Sequence, residues 1–177
     1  MERIYFKVSQ WYNERVKIRD FKPSLRVHHV SQIDDNTLND WKIKTILLDV
    51  DNTLVSKGKS QLEPQIHEWI ETQKEQGRSI VLCSNNVSSA SLEIAKNQDL
   101  TSIRFALKPF TFRIKHVLKE QDYSSPLCVI GDQVFTDIWV GKRLNAYTIL
   151  VDPLAKHDWL STKALRIVER FVLKDKK

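Results

Sequence analysis

In the stretch "TILLDVDNTLV", residues 45–55, a run suited to a buried strand ends in two carboxylates, Asp49 and Asp51. Side chains along an extended segment alternate between faces. Asp49 and Asp51 therefore leave the same side while Val50 points away. Two like charges held that close repel, so the pattern asks for a metal ion, a proton, or both. Three other polar clusters close apolar runs in the same manner: Ser84-Asn85-Asn86 in "VLCSNN", Lys108-Pro109 in "ALKP", and Gly131-Asp132 in "LCVIGDQVFTD", with Asp137 five residues beyond.

These residues need elements to position them. Short aliphatic and β-branched runs at 45–50, 79–84, 103–106, 127–130 and 147–151 predict five strands. Amphipathic segments between them predict helices. One starts at Pro64, sets Ile66, Trp69 and Ile70 on one face and stops at Gly77; another runs from 111 to about 121 with Ile114, Val117 and Leu118 on one face. Strands alternating with helices predict an α/β fold with a parallel sheet covered on both faces, and ligands of such sheets bind at the carboxyl ends of the strands. All four polar clusters then fall on one edge. Any one of them is weak. Ser84 and Asn85 also read as caps of the helix carrying Leu92 and Ala95, Lys108 as a solvated loop lysine, and Asp137 as an early-turn helix residue. It is their joint placement that points to a site.

As a set, "DVDNT", "CSNN", "LKP" and "GDQVFTD" resemble the four motifs of haloacid-dehalogenase-like (HAD) phosphatases. With the long N-terminal lead, they are similar more narrowly to the subfamily IIIA, YqeG-type branch related to mitochondrial phosphatidylglycerophosphate phosphatase. The resemblance covers about 41–153 and implies a Rossmann-like sheet, Mg²⁺ and an aspartyl-phosphate intermediate. Carried over residue by residue, it implies Asp49 as nucleophile and Asp51 as general acid and base. Mg²⁺ would be held by the Asp49 carboxylate, the Asp51 carbonyl and Asp132, with Asp137 behind them. Ser84 and the Asn85 N–H would bind the phosphoryl oxygens, Lys108 would offset their charge, and Thr53 would steady the loop. The chemistry agrees, because phosphoryl transfer needs a cation, fixed donors and an in-line nucleophile.

Composition bounds the rest. A chain of 177 residues, 41% hydrophobic, suffices for one domain, which we expect to span 1–177 with basic helical extensions at both ends. The N-terminus lacks the apolar core of a signal peptide and no long apolar run follows, predicting a cytoplasmic protein. Cys83 and Cys128 lie in strand-like runs and read as buried thiols. The net charge of +6 is concentrated at the ends, +4 in 1–30 and +4 in 156–177, which implies an anionic partner or simply a solvated surface; no nucleic acid is expected. In Tyr5 to Arg19 an aromatic and aliphatic stripe flanked by Lys7, Arg15 and Arg19 suits a headgroup layer at the inner face of a membrane, or packing against the domain itself. Lys57 and Lys59 would meet a second phosphate or stay solvated. "DDNTLND", 34–40, has no preceding strand and reads as a helix with its N-cap at Asp34 or Asp35. The loop from Asp49 fails as an EF-hand because Leu54 and Ser60 replace the required Gly and Glu, and the five histidines lack zinc spacing.

About nine residues between the first motif and Pro64 leave no room for a large cap domain. An open site suits a bulky phosphate such as phosphatidylglycerophosphate at a bilayer surface. The alternatives are a soluble metabolite, a phosphoprotein or a nucleic-acid end as substrate, or a receiver-like or adaptor module without enzymatic activity.

Overall fold

The computed structural model describes residues 21–155 apart from 57, 58 and 88. The basic stripe of 5–19 and the C-terminal helix expected after 156 lie outside the described residues, as does Lys57. Six strands form one sheet: β1 (Leu25–Arg26), β2 (Thr45–Leu48), β3 (Ser79–Cys83), β4 (Thr101–Ile103), β5 (Leu127–Gly131) and β6 (Tyr147–Leu150), in the order β1-β6-β5-β2-β3-β4 with every pair parallel. Four of them, β2, β3, β5 and β6, fall where the sequence predicts them. β1 comes from the stretch read as helical: Leu25 pairs with Ile149 and Arg26 with Leu150, and Asp152 accepts from Arg26 and His28 just beyond the paired ends. β4 is also earlier than predicted. It stops at Ile103 because Phe105 and Leu107 take φ of 51° and 59°, which no strand accommodates.

Central strands β2 and β5 are buried along their whole length, as a parallel sheet covered on both faces requires. Alternation then divides the core in two. Ile46, Leu48, Ile80, Leu82 and Ile130 meet Ile66, Trp69 and Ile70 of the helix Pro64–Glu75 and Ile94 of the helix Ser89–Asn97. Leu47, Val81 and Val129 meet Ile114 and Leu118 of the helix Phe112–Glu120 on the opposite face. Labelled in chain order, α1 is Asp35–Asp40, α2 Pro64–Glu75, α3 Ser89–Asn97, α4 Phe112–Glu120 and α5 Trp139–Arg143. α1 is the segment "DNTLND", capped by Asp34, whose side chain accepts from Asn36 N, with Leu38 buried. Cys83 and Cys128 are free and buried, and burial pushes the Cys83 thiol up to about 12. No helix among the described residues is long and apolar enough to cross a membrane.

Candidate active site

Because all strands are parallel, the segments after β2, β3, β4 and β5 emerge at one edge, and there the four clusters meet. After β2 the backbone closes on itself: Leu54 N and Val55 N both donate to Val50 O, and Asn52 N donates to Val55 O. Asn52 turns this corner with φ of 63°, a conformation that Asn tolerates better than most residues. The loop buries Asn52, Thr53 and Leu54 and sets Asp49 and Asp51 at its base. The two carboxylates do not share a partner. Lys108 Nζ donates to Asp49 Oδ1 at 2.6 Å, whereas Asp51 Oδ2 accepts from Ser84 Oγ at 2.8 Å. The repulsion legible in the sequence is thus relieved within the chain itself by an ammonium on one aspartate and a hydroxyl on the other.

Lys108 is the hub of this edge. Its Nζ also donates to Asp137 Oδ1 at 2.6 Å, and all three groups are buried. Asp137 sits on the π-helical turn Val134–Ile138, where its second oxygen accepts from Gln133 N at 3.1 Å. Room for it depends on Gly131: a Cβ there would lie 2.3 Å from Asp137 Cγ. The Lys108 backbone is fixed by Asn85, whose Oδ1 accepts from Lys108 N at 2.7 Å and whose Nδ2 donates to Lys108 O at 2.9 Å. Sequence reasoning missed this clamp, reading Asn85 as a backbone N–H for the phosphoryl group or as a helix cap. The available signal was the amide side chain itself, which carries a donor and an acceptor side by side and can imitate a strand partner.

Electrostatics follow from burial. Desolvation raises Asp49 to about 6, with Lys108 opposing the rise and Asp137 adding to it. Asp132, half-buried after Gly131, is raised to about 7, chiefly by desolvation and then by Asp49 and Asp137. Burial alone would lower Lys108, but Asp137 and Asp49 outweigh it and hold the ammonium well above its ordinary value. One carboxylate oxygen from each of Asp49, Asp132 and Asp137 can be chosen so that all three lie within 4.8 Å of one another. Asp49 Oδ2 and Asp132 Oδ1 are buried without a hydrogen-bond partner. Two such orphaned hard oxygens fit a small divalent cation such as Mg²⁺. Asp49 and Asp132 would hold it. Asp137, with one oxygen bonded to Lys108 and the other to Gln133, would support it from behind.

The fold and this edge together have the form implied by the HAD-like resemblance. Among solved structures, a hypothetical protein of Xanthomonas campestris superposes with a TM-score of 0.51 at 12% identity, covering 77% of this chain and 79% of the other. DsGPDH of Dunaliella salina superposes with a TM-score of 0.53 at 16% identity, over 77% of this chain but 29% of that one. At such identities these matches speak for the fold alone. Sequence carries the comparison further: the Bacillus subtilis (strain 168) protein named "Probable phosphatase YqeG" is 32% identical over 154 residues, 86% of this chain and 90% of its own length. The chain belongs to the HAD-like phosphatase family described as mitochondrial PGP phosphatase, whose model matches residues 12–154. It is a phosphatase.

Proposed function

We propose that the enzyme is a Mg²⁺-dependent phosphomonoesterase that works through an aspartyl-phosphate on Asp49, and that its substrate is phosphatidylglycerophosphate. The observation that carries the chemistry is Asp49 itself, a buried carboxylate with one oxygen held by Lys108 and the other left without a partner beside the orphaned oxygen of Asp132. An Asp49 oxygen attacks phosphorus, the bond from phosphorus to the glycerol oxygen breaks, and Asp51 delivers a proton to that oxygen. Water then attacks the acyl phosphate, Asp51 takes its proton, and the bond between Asp49 and phosphorus breaks to release phosphate. Lys108 stays charged throughout, lying close enough to Asp49 to offset the charge on the transferring group. Ser84, now donating to Asp51, and the loop N–H of Asn85 would bind phosphoryl oxygens once substrate enters. When bound, Mg²⁺ shields the phosphate's negative charge from the attacking carboxylate.

The substrate reading rests on the matched family's description and on the absence of a cap over this edge among the described residues. Its test is a panel of phosphatidylglycerophosphate in mixed micelles, glycerol 3-phosphate, sugar phosphates, nucleotides and phosphopeptides, each with Mg²⁺ and with EDTA. We expect the highest kcat/KM on the phospholipid and loss of turnover in EDTA. A higher kcat/KM on a soluble phosphate would overturn the substrate, and undiminished turnover in EDTA would overturn the cation dependence.

A further inference from the structure

The segment that delivers Lys108 to the site carries a surface that the chemistry does not use. From Thr101 to Lys119 there are five Lys/Arg and no Asp or Glu. Of these cations only Lys108 turns inward to the carboxylates. Phe105, Phe110 and Phe112 are 47%, 42% and 59% exposed, a large apolar area to leave in water within eight residues. The rings and cations are interleaved. Arg113 stands over the Phe105 ring at 5.8 Å, and Phe110 and Phe112 lie 6.4 Å apart between centroids.

The exposure of Phe105 is imposed by structure. Its φ of 51° is fixed where its own N–H donates to Asn86 O and the next N–H, of Ala106, donates to Ser84 O. These bonds tie the aromatic turn to the same loop whose Ser84 hydroxyl reaches Asp51. The Asn85 clamp ties its far end to Lys108. The patch is therefore attached to the catalytic edge at two points.

We propose that this aromatic and basic turn, with Arg104, Arg113 and Lys115 around Phe105, Phe110 and Phe112, is the surface on which the enzyme seats against an anionic lipid bilayer. The inference rests on the lipid-phosphate reading above. Apolar rings interleaved with cations and free of acids suit the boundary between headgroups and acyl chains, where the rings leave water and the cations meet lipid phosphates. Charge complementarity selects an anionic bilayer: an uncharged one would engage the rings alone, and a second copy of this chain would bring Arg104, Arg113 and Lys115 against the same three cations. Seated there, the sheet edge that carries Asp49 and Lys108 faces the layer in which a phospholipid monoester resides.

The test is flotation with vesicles of phosphatidylcholine, with and without about one third phosphatidylglycerol, using the full chain and its Phe105→Asn/Phe112→Ser/Arg113→Gln variant. Asn is chosen at 105 because it tolerates positive φ. We expect wild type to bind the anionic vesicles in a salt-sensitive manner. The variant should bind at least about tenfold more weakly, lose activity on vesicle-borne substrate, and keep its turnover of p-nitrophenyl phosphate, which reports an intact site. Equal binding by wild type and variant would overturn the proposal and place any attachment elsewhere in the chain. Failure of wild type to float with either vesicle would overturn it too, as would a dimer that the variant dissociates, since the patch would then seat a second copy. Failure of the lipid-phosphate reading is read separately, from the substrate panel: vesicle binding lost in the variant with no turnover of phosphatidylglycerophosphate would leave the surface standing and remove the substrate.

Discussion

Lys108 bridges two buried carboxylates, so its removal has two consequences that can be measured apart. As a fixed cation beside the transferring group, it should contribute roughly 10²–10³-fold to turnover, the scale of a lost transition-state donor. As the only cation that bonds Asp49 and Asp137 among the described residues, its loss leaves two buried acids facing each other, and breaking such a pair costs about 3–5 kcal/mol. We expect Lys108→Ala to lose both activity and melting temperature, with Mg²⁺ recovering part of the second and little of the first; unchanged kcat would remove Lys108 from the chemistry. Asp51→Asn separates the proton from the nucleophile. Aryl phosphates, whose leaving groups need little protonation, should still turn over slowly while alkyl phosphates fail, and equal losses on both would count against the acid role. At this scale much was legible, because Asp49, Asp51, Ser84, Lys108 and Asp132 close apolar runs and Asp137 follows Asp132 by five residues. What the sequence could not reveal was pairing. That Lys108 binds two aspartates, and that Ser84 reaches Asp51, depends on loop paths that no local pattern encodes.

The elements are held to their positions by close approaches that leave little slack. Gly131 ends β5 beneath the Asp137 carboxylate, and an added Cβ would lie 2.3 Å from its Cγ and 2.4 Å from Oδ2. Lys108 and the Gln133 N–H hold that carboxylate in place, so it cannot simply step aside. Gly131→Ala should displace Asp137, destabilise the fold by about 1–3 kcal/mol and lower kcat by more than the melting shift explains. Wild-type stability and kcat together would show that the approach is looser than the structure describes. The main strands and helices were readable because a doubly covered parallel sheet needs continuous apolar runs. β1 was not, since two residues give no periodicity and owe their conformation to pairing with Ile149 and Leu150. β4 was misplaced for a related reason: Ile103 to Ala106 reads as a short apolar strand, but the Phe105 and Ala106 N–H groups donate to the Asn86 and Ser84 carbonyls of the loop after β3. Arg78 was silent as well. It is buried by Asp35, Gln73 and Asn39, residues brought together only when α1 docks on α2.

For the whole molecule, the raised carboxylates of the acidic edge make stability depend on pH. Asp49 and Asp132 have folded pKa values raised from 3.8 to about 6 and about 7. The metal-free folded state therefore binds more protons than the unfolded chain between about pH 4 and 7. Their contribution is fully present below the unfolded value and is lost as pH rises through 6 to 7. In metal-free protein, the melting temperature of Asp132→Asn should gain on wild type as pH rises from 5 to 8. Mg²⁺ should raise the wild-type melting temperature more at pH 8 than at pH 5, since a bound cation requires both carboxylates ionised. A difference between variant and wild type that is independent of pH would contradict these shifts.

The proposed mechanism requires a covalent bond to one oxygen of one residue, Asp49. The most direct measurement is to quench the enzyme in acid during turnover, reduce any acyl phosphate with borohydride, and locate the resulting homoserine by peptide mass spectrometry. Asp51→Asn, in which hydrolysis is slowed, should accumulate more of the labelled species on an aryl phosphate. An aspartyl-phosphate on Asp49 should leave homoserine at position 49 only when substrate was present, and none in Asp49→Asn. Homoserine at position 51, or rapid turnover with no trapped residue under conditions that trap a known aspartyl-phosphate, would contradict it.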